Sequence, residues 1–111
     1  MDDPLIDPTV FAELAESVGA DFVRELVETF AAEATTMRSE MRAAYEQRDA
    51  ERFRRAAHSL KSNAQTFGAR RLAEAARALE LGGLPSEAAP LDALEADLAR
   101  SLTALAERAG G

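Results

Sequence analysis

Cysteine and tryptophan are absent from this chain, histidine and lysine occur once each, and 5% of its 111 residues are aromatic. Without cysteine there is no disulfide framework, thiolate metal site or thiol nucleophile. A lone histidine, His58, cannot assemble the usual zinc shell by itself. No apolar run approaches the ~18 residues that a membrane-crossing helix needs. The start, Met1-Asp2-Asp3-Pro4, is acidic and lacks the basic-then-apolar order of a secretory signal. No segment shows the alternation or β-branched richness of a strand. The formal net charge of −7 argues against general nucleic-acid binding, which needs clustered cations facing phosphates. The expectation is a cytoplasmic monomer with no membrane or nucleic-acid partner, its length fitting one domain over residues 1–111.

Alanine and leucine dominate what is present, and both favour helices. Five helical stretches can be read. The first spans about Pro8 to Ser17, with Asp7 as N-cap, Pro8 at the first helical position and Gly19 as its end. The second spans about Asp21 to Arg48, with Phe22, Leu26, Phe30, Met37, Met41 and Ala44 as its apolar face. The third spans about Ala50 to Phe67 behind Asp49, and the fourth about Ala69 to Leu81, stopped by Gly82-Gly83. The fifth starts between Ser86 and Pro90 and reaches about Arg108, with Leu91, Leu94, Leu98, Leu102 and Leu105 as its stripe. The tail Ala109-Gly110-Gly111 is expected to fray. The fold class is all-α: an antiparallel up-down four-helix bundle with a short leading N-terminal helix.

Charge is unevenly spread. Between Arg52 and Arg77 there are seven basic residues and one acid, Glu74, whereas the other 85 residues hold six bases and nineteen acids. Such an island around the only histidine can be a docking or phosphate-handling surface, or a helix pair balancing the acidic helices. Its centre is the run Ala57-His58-Ser59-Leu60-Lys61-Ser62-Asn63-Ala64-Gln65-Thr66-Phe67-Gly68-Ala69. At about 100° per residue, Phe53, Ala57, Leu60, Ala64 and Phe67 share one direction, the core. His58 then lies about 140° away, Lys61 about 80°, Gln65 about 120° and Ser62 about 180°. These four make one stripe from the flank to the exposed face.

His58 and Lys61, three apart, are neighbours on the helix. An imidazole is a nucleophile and proton carrier near neutral pH. An ammonium beside it holds an anion as a point charge. The pair suggests phosphoryl chemistry; the plain alternative is an ordinary surface histidine. A serine–histidine triad is disfavoured, since no strand–turn–helix elbow raises Ser59 or Ser62. Ser62, one turn beyond His58, either leaves room for an approaching partner or simply faces solvent.

The run from His58 through Leu60-Lys61-Ser62-Asn63 to Phe67-Gly68-Ala69 resembles the signature of histidine-containing phosphotransfer (HPt) domains, roughly His-x-Leu-Lys-Gly-Ser/Ala followed by Gly-Ala/Leu. Ser62 stands where the family often has glycine. The resemblance implies a carrier in a multistep two-component phosphorelay. His58 accepts a phosphoryl group from a receiver-domain aspartyl phosphate and passes it to another receiver. Lys61 pairs with the phosphoryl oxygens, and Gly68 allows the break into the next helix. Glu80, near the end of the fourth helix, is the candidate to hold the other imidazole nitrogen, with Arg77 assisting with phosphate charge. Ser62, Gln65 and Arg54 are candidate docking residues. The implied partners are response-regulator receiver domains and a hybrid histidine kinase. No cofactor is implied for the chain itself, and magnesium belongs to the receiver. Lacking a Gly-rich phosphate loop, the chain is read as a carrier rather than a kinase. Two other readings stay open: the phospho-accepting domain of a chemotaxis-type kinase, and a non-catalytic helical docking module. The chain could stand alone or be a fragment of a hybrid kinase.

Overall fold

The structure is a computed structural model that describes residues 5–110, so the expectations for Met1–Pro4 and for Gly111 lie outside the described residues. Those residues form five α-helices and no strand: α1 (Pro8–Val18), α2 (Ala20–Gln47), α3 (Ala50–Thr66), α4 (Arg70–Gly82) and α5 (Ala89–Gly110). None of the helices is long and apolar enough to cross a membrane, among the described residues.

The helix ends follow local chemistry. Asp7 caps α1 by accepting from the Thr9 and Val10 N–H groups at 3.0 and 3.3 Å, with Pro8 in the first turn. Asp49 caps α3 by accepting from the Arg52 N–H at 3.1 Å. Gly19 at φ +91° and Gly83 at φ +78° end α1 and α4. The second helix stops one residue before the sequence reading, because Arg48 turns left-handed at φ +56°. Its guanidinium lies 4.9 Å from the Tyr45 ring centroid and donates to the Pro85 carbonyl at 3.0 Å, which ties the α2–α3 turn to the α4–α5 loop.

α2 and α4 each pack along both α3 and α5, and α1 lies against α2. The core draws on all five helices, with the Phe30 and Phe67 rings stacked at 4.8 Å. Three expectations need correction. Phe22 is 50% exposed, and the buried stripe of α2 runs instead through Val23, Val27, Phe30, Ala34, Met41 and Ala44. Repeated steps of four from Phe22 to Phe30 drift around a helix of 3.6 residues per turn, whereas alternating steps of four and three stay on one face. On α5, Leu102 is only partly buried, and Ser101 takes the fully buried place between Leu98 and Leu105 by the same alternation. Ala109 and Gly110, expected to fray, are helical.

Gly68, at φ +75°, joins α3 to α4 under close packing from the N-terminal segment. The Asp7 N–H donates to its carbonyl at 2.7 Å. A Cβ at this position would meet the Asp7 oxygen at 3.0 Å and Val10 Cβ at 3.1 Å. Backbone conformation and close approach both demand glycine there.

Candidate functional site

Phe53, Ala57, Leu60 and Ala64 are fully buried along α3, and their fixed direction turns the histidine outward. The His58 side chain is 55% exposed, so the site is a protruding ring rather than a cleft. Its Nδ1 lies 2.7 Å from Glu80 Oε2, on α4. Lys61 Nζ lies 2.7 Å from the other carboxylate oxygen, Oε1. The lysine and glutamate side chains are 19% and 11% exposed, so both charges are largely withdrawn from water.

Glu80 thus bridges the two residues singled out on α3. The Lys61 ammonium first, and the His58 ring second, hold its carboxyl below the usual carboxylate range. The contact of Oε1 with Lys61 is an ion pair without the angles of a directed hydrogen bond, and the buried Oε1 has no other partner. The ion pair holds regardless, because opposite charges 2.7 Å apart attract at any angle. An ionised carboxylate only accepts, so Nδ1 carries the proton in this contact. In a neutral ring the lone pair is then on Nε2, which bonds to no other side chain among the described residues.

The other candidate residues are arranged around this centre. Arg54, one turn before His58, donates to Glu51 at 2.9 Å. Ser62 and Gln65 are exposed on the outer face of α3, and the Ser62 carbonyl accepts from Thr66 Oγ1 at 3.2 Å. Arg77 is exposed on α4, one turn before Glu80, and forms no ion pair among the described residues. Gly68 is nearly three turns beyond His58 and shapes the end of the helix rather than the site.

The charge-balance reading of the basic island holds for its α3 arginines. Arg52 donates from Nε and Nη2 to the two Glu40 oxygens at 2.8 and 3.0 Å, and Arg54 and Arg55 share Glu51. These pairs balance charge between α2 and α3 and within α3. Arg70, Arg71 and Arg77, all on α4, are exposed and pair with no acid among the described residues. Sequence spacing could not foresee the Arg52–Glu40 clamp, which depends on how α2 sits against α3. Among the described residues no three His, Cys, Asp or Glu side chains gather as a metal site.

A protruding imidazole backed by a carboxylate on a neighbouring helix is suited to act as a nucleophile. Residues 25–105 match the Hpt domain family, a span that contains His58, Lys61 and Glu80. The chain belongs to the Hpt domain family, whose function is histidine phosphotransfer in two-component phosphorelays. Among solved structures it is similar to histidine-containing phosphotransfer protein B (HptB) from Pseudomonas aeruginosa PAO1, at 27% identity. That similarity covers 98% of this chain and 94% of the other, with a TM-score of 0.79. No curated protein sequence matches significantly.

Proposed function

We propose that His58 is the phospho-acceptor of this carrier, taking the phosphoryl group from an aspartyl phosphate on a response-regulator receiver domain and giving it to another. The observation that carries this reading is the 2.7 Å contact between His58 Nδ1 and Glu80 Oε2, which leaves Nε2 as the outward nucleophile. The Nε2 lone pair attacks phosphorus in line. A P–N bond forms while the P–O bond to the aspartyl carboxylate breaks, and that carboxylate leaves with the electron pair. The ring becomes cationic as the bond forms, and the Glu80 carboxylate, hydrogen-bonded to Nδ1–H, stabilises that charge. Charge on the transferring group spreads over its equatorial oxygens, and Lys61 is the cation held beside the ring to meet it, with Arg54 one turn before His58 and Arg77 one turn before Glu80 adding positive charge to the same surface. Both linkages are high in energy, so the step runs in either direction.

The finer features of the reading follow from this. The four longer helices act as an antiparallel up-down bundle whose rigidity holds α3 and α4 in register. The chain works as a cytoplasmic monomer, binds no ATP and no metal of its own, and meets magnesium only on the receiver. A hybrid histidine kinase stands upstream. Ser62, Gln65 and Arg54 lie on the surface that the receiver covers.

The test is transfer from a panel of phosphorylated receiver domains to wild type and to His58→Gln. The expected result is an acid-labile, base-stable label on wild type and none on the variant, with equal melting curves, since the side chain is exposed. Receiver binding that survives His58→Gln without any label on wild type would favour the docking-module reading.

A further inference from the structure

Among the described residues two large apolar side chains stand out in solvent, Phe22 at 50% and Leu81 at 67% exposure. Leu81 follows Glu80, the residue that touches His58. One residue on a helix is a rise of about 1.5 Å, so Leu81 is level with His58 along the bundle. Leu72, Ala76 and Leu79 fix the core direction of α4. From Glu80, Arg77 lies about 60° and Leu81 about 100° further around, both turning away from that core. Glu80 itself faces α3, so these two residues form the solvent-side rim next to the histidine. One helix diameter, on the order of 10 Å, separates Leu81 from the imidazole.

Phe22 lies elsewhere. Phe30 stacks on Phe67, and Glu40 pairs with Arg52, so α2 runs from the Arg52 end of α3 toward its Phe67 end as its residue numbers fall. Phe22 is eight residues beyond Phe30, and Phe67 is nine residues from His58, which separates Phe22 from the histidine by about 25 Å along the bundle. Even a transient interface burying about 500 Å² per side reaches on the order of 12 Å from its centre. A partner that brings phosphorus to Nε2 is centred on His58. Leu81 falls inside that footprint and Phe22 outside it.

We propose that Leu81 is an apolar anchor for the receiver domain during transfer, with the unpaired Arg77 beside it facing the acidic surface around the partner's aspartyl phosphate; this inference rests on the role of His58 given above. The occupant is identified by continuity with the transfer site and by charge. A domain that must deliver an aspartyl phosphate presents acidic groups to the basic rim, and it covers Leu81 whenever the reacting atoms meet. Covering a leucine that is 67% exposed removes its apolar surface from water, which favours the docked state. Leu81 therefore sets which receivers transfer efficiently.

The test compares Leu81→Ser with Phe22→Ser, two substitutions of exposed side chains that leave the fold intact. Each protein is labelled by a receiver domain that phosphorylates wild type and, separately, by phosphoramidate, a small donor that needs no docking. The expected result is a ratio of receiver-donated to phosphoramidate-donated rate that falls about tenfold for Leu81→Ser, and that stays at the wild-type value for Phe22→Ser. Equal ratios in the two variants overturn the inference while leaving His58 as acceptor. Labelling of wild type by phosphoramidate but by no receiver overturns the partner assignment, and absence of label from both donors overturns the His58 reading. Wild-type dimers in sedimentation that Leu81→Ser dissociates would make a second copy the occupant, which also overturns it.

Discussion

One carboxylate organises the site. Glu80 holds the ring with one oxygen and the lysine with the other, at 2.7 Å each, so the Lys61 ammonium rests on Glu80 before any phosphoryl group arrives. Glu80→Gln keeps an acceptor for Nδ1–H but removes the charge that stabilises a cationic ring. Transfer should slow about tenfold with the fold retained, measured as the initial rate from a phosphorylated receiver. The same carboxylate predicts a pH dependence. Its folded pKa is depressed, so its contribution to stability is present above the unfolded value of ~4.3 and is lost as pH falls through the lower folded value. Wild type should melt above Glu80→Gln near neutral pH, and the gap should close in acid; a gap that stays constant from neutral to strongly acid pH contradicts the bridge. His58 and its outward direction were legible in the sequence, because the apolar spacing of α3 fixes them. The resting partner of Lys61 was not, because it depends on a residue nineteen positions later on another helix.

At the scale of elements, the helix limits were legible wherever the chain writes its own caps, as at Asp7-Pro8, Asp49 and Gly82-Gly83. They were less so at Arg48, a non-glycine residue held left-handed by Tyr45 and the Pro85 carbonyl. Those partners come from packing, which leaves no local mark. The faces of α2 and α5 were misread by one position at Phe22 and Leu102, where two apolar registers compete and only the neighbouring helices decide. The α3–α4 junction yields a prediction. Gly68→Ala places a Cβ 3.0 Å from the Asp7 oxygen at φ +75°, so it should cost about 2 kcal/mol and lower the melting temperature by on the order of 10 °C. Hydrogen exchange should speed up first over α1, whose start rests on this glycine. Leu60→Asp, which puts a charge at a fully buried place, should prevent folding altogether, read as loss of helical circular dichroism.

The whole molecule combines an acidic body with a basic rim on α4. The net charge is −7, yet Arg70, Arg71 and Arg77 are exposed without acidic partners among the described residues. Encounter with an acidic receiver face should therefore weaken with salt, and transfer should slow several-fold between about 50 mM and about 500 mM ionic strength. Transfer that is indifferent to salt would assign docking to apolar contacts alone. The measurement that tests the central claim most directly is phosphotransfer from a panel of phosphorylated receiver domains to wild type and His58→Gln. The account predicts an acid-labile, base-stable label on wild type and none on a variant that folds equally well. Label on His58→Gln, or none on wild type from any receiver, contradicts it.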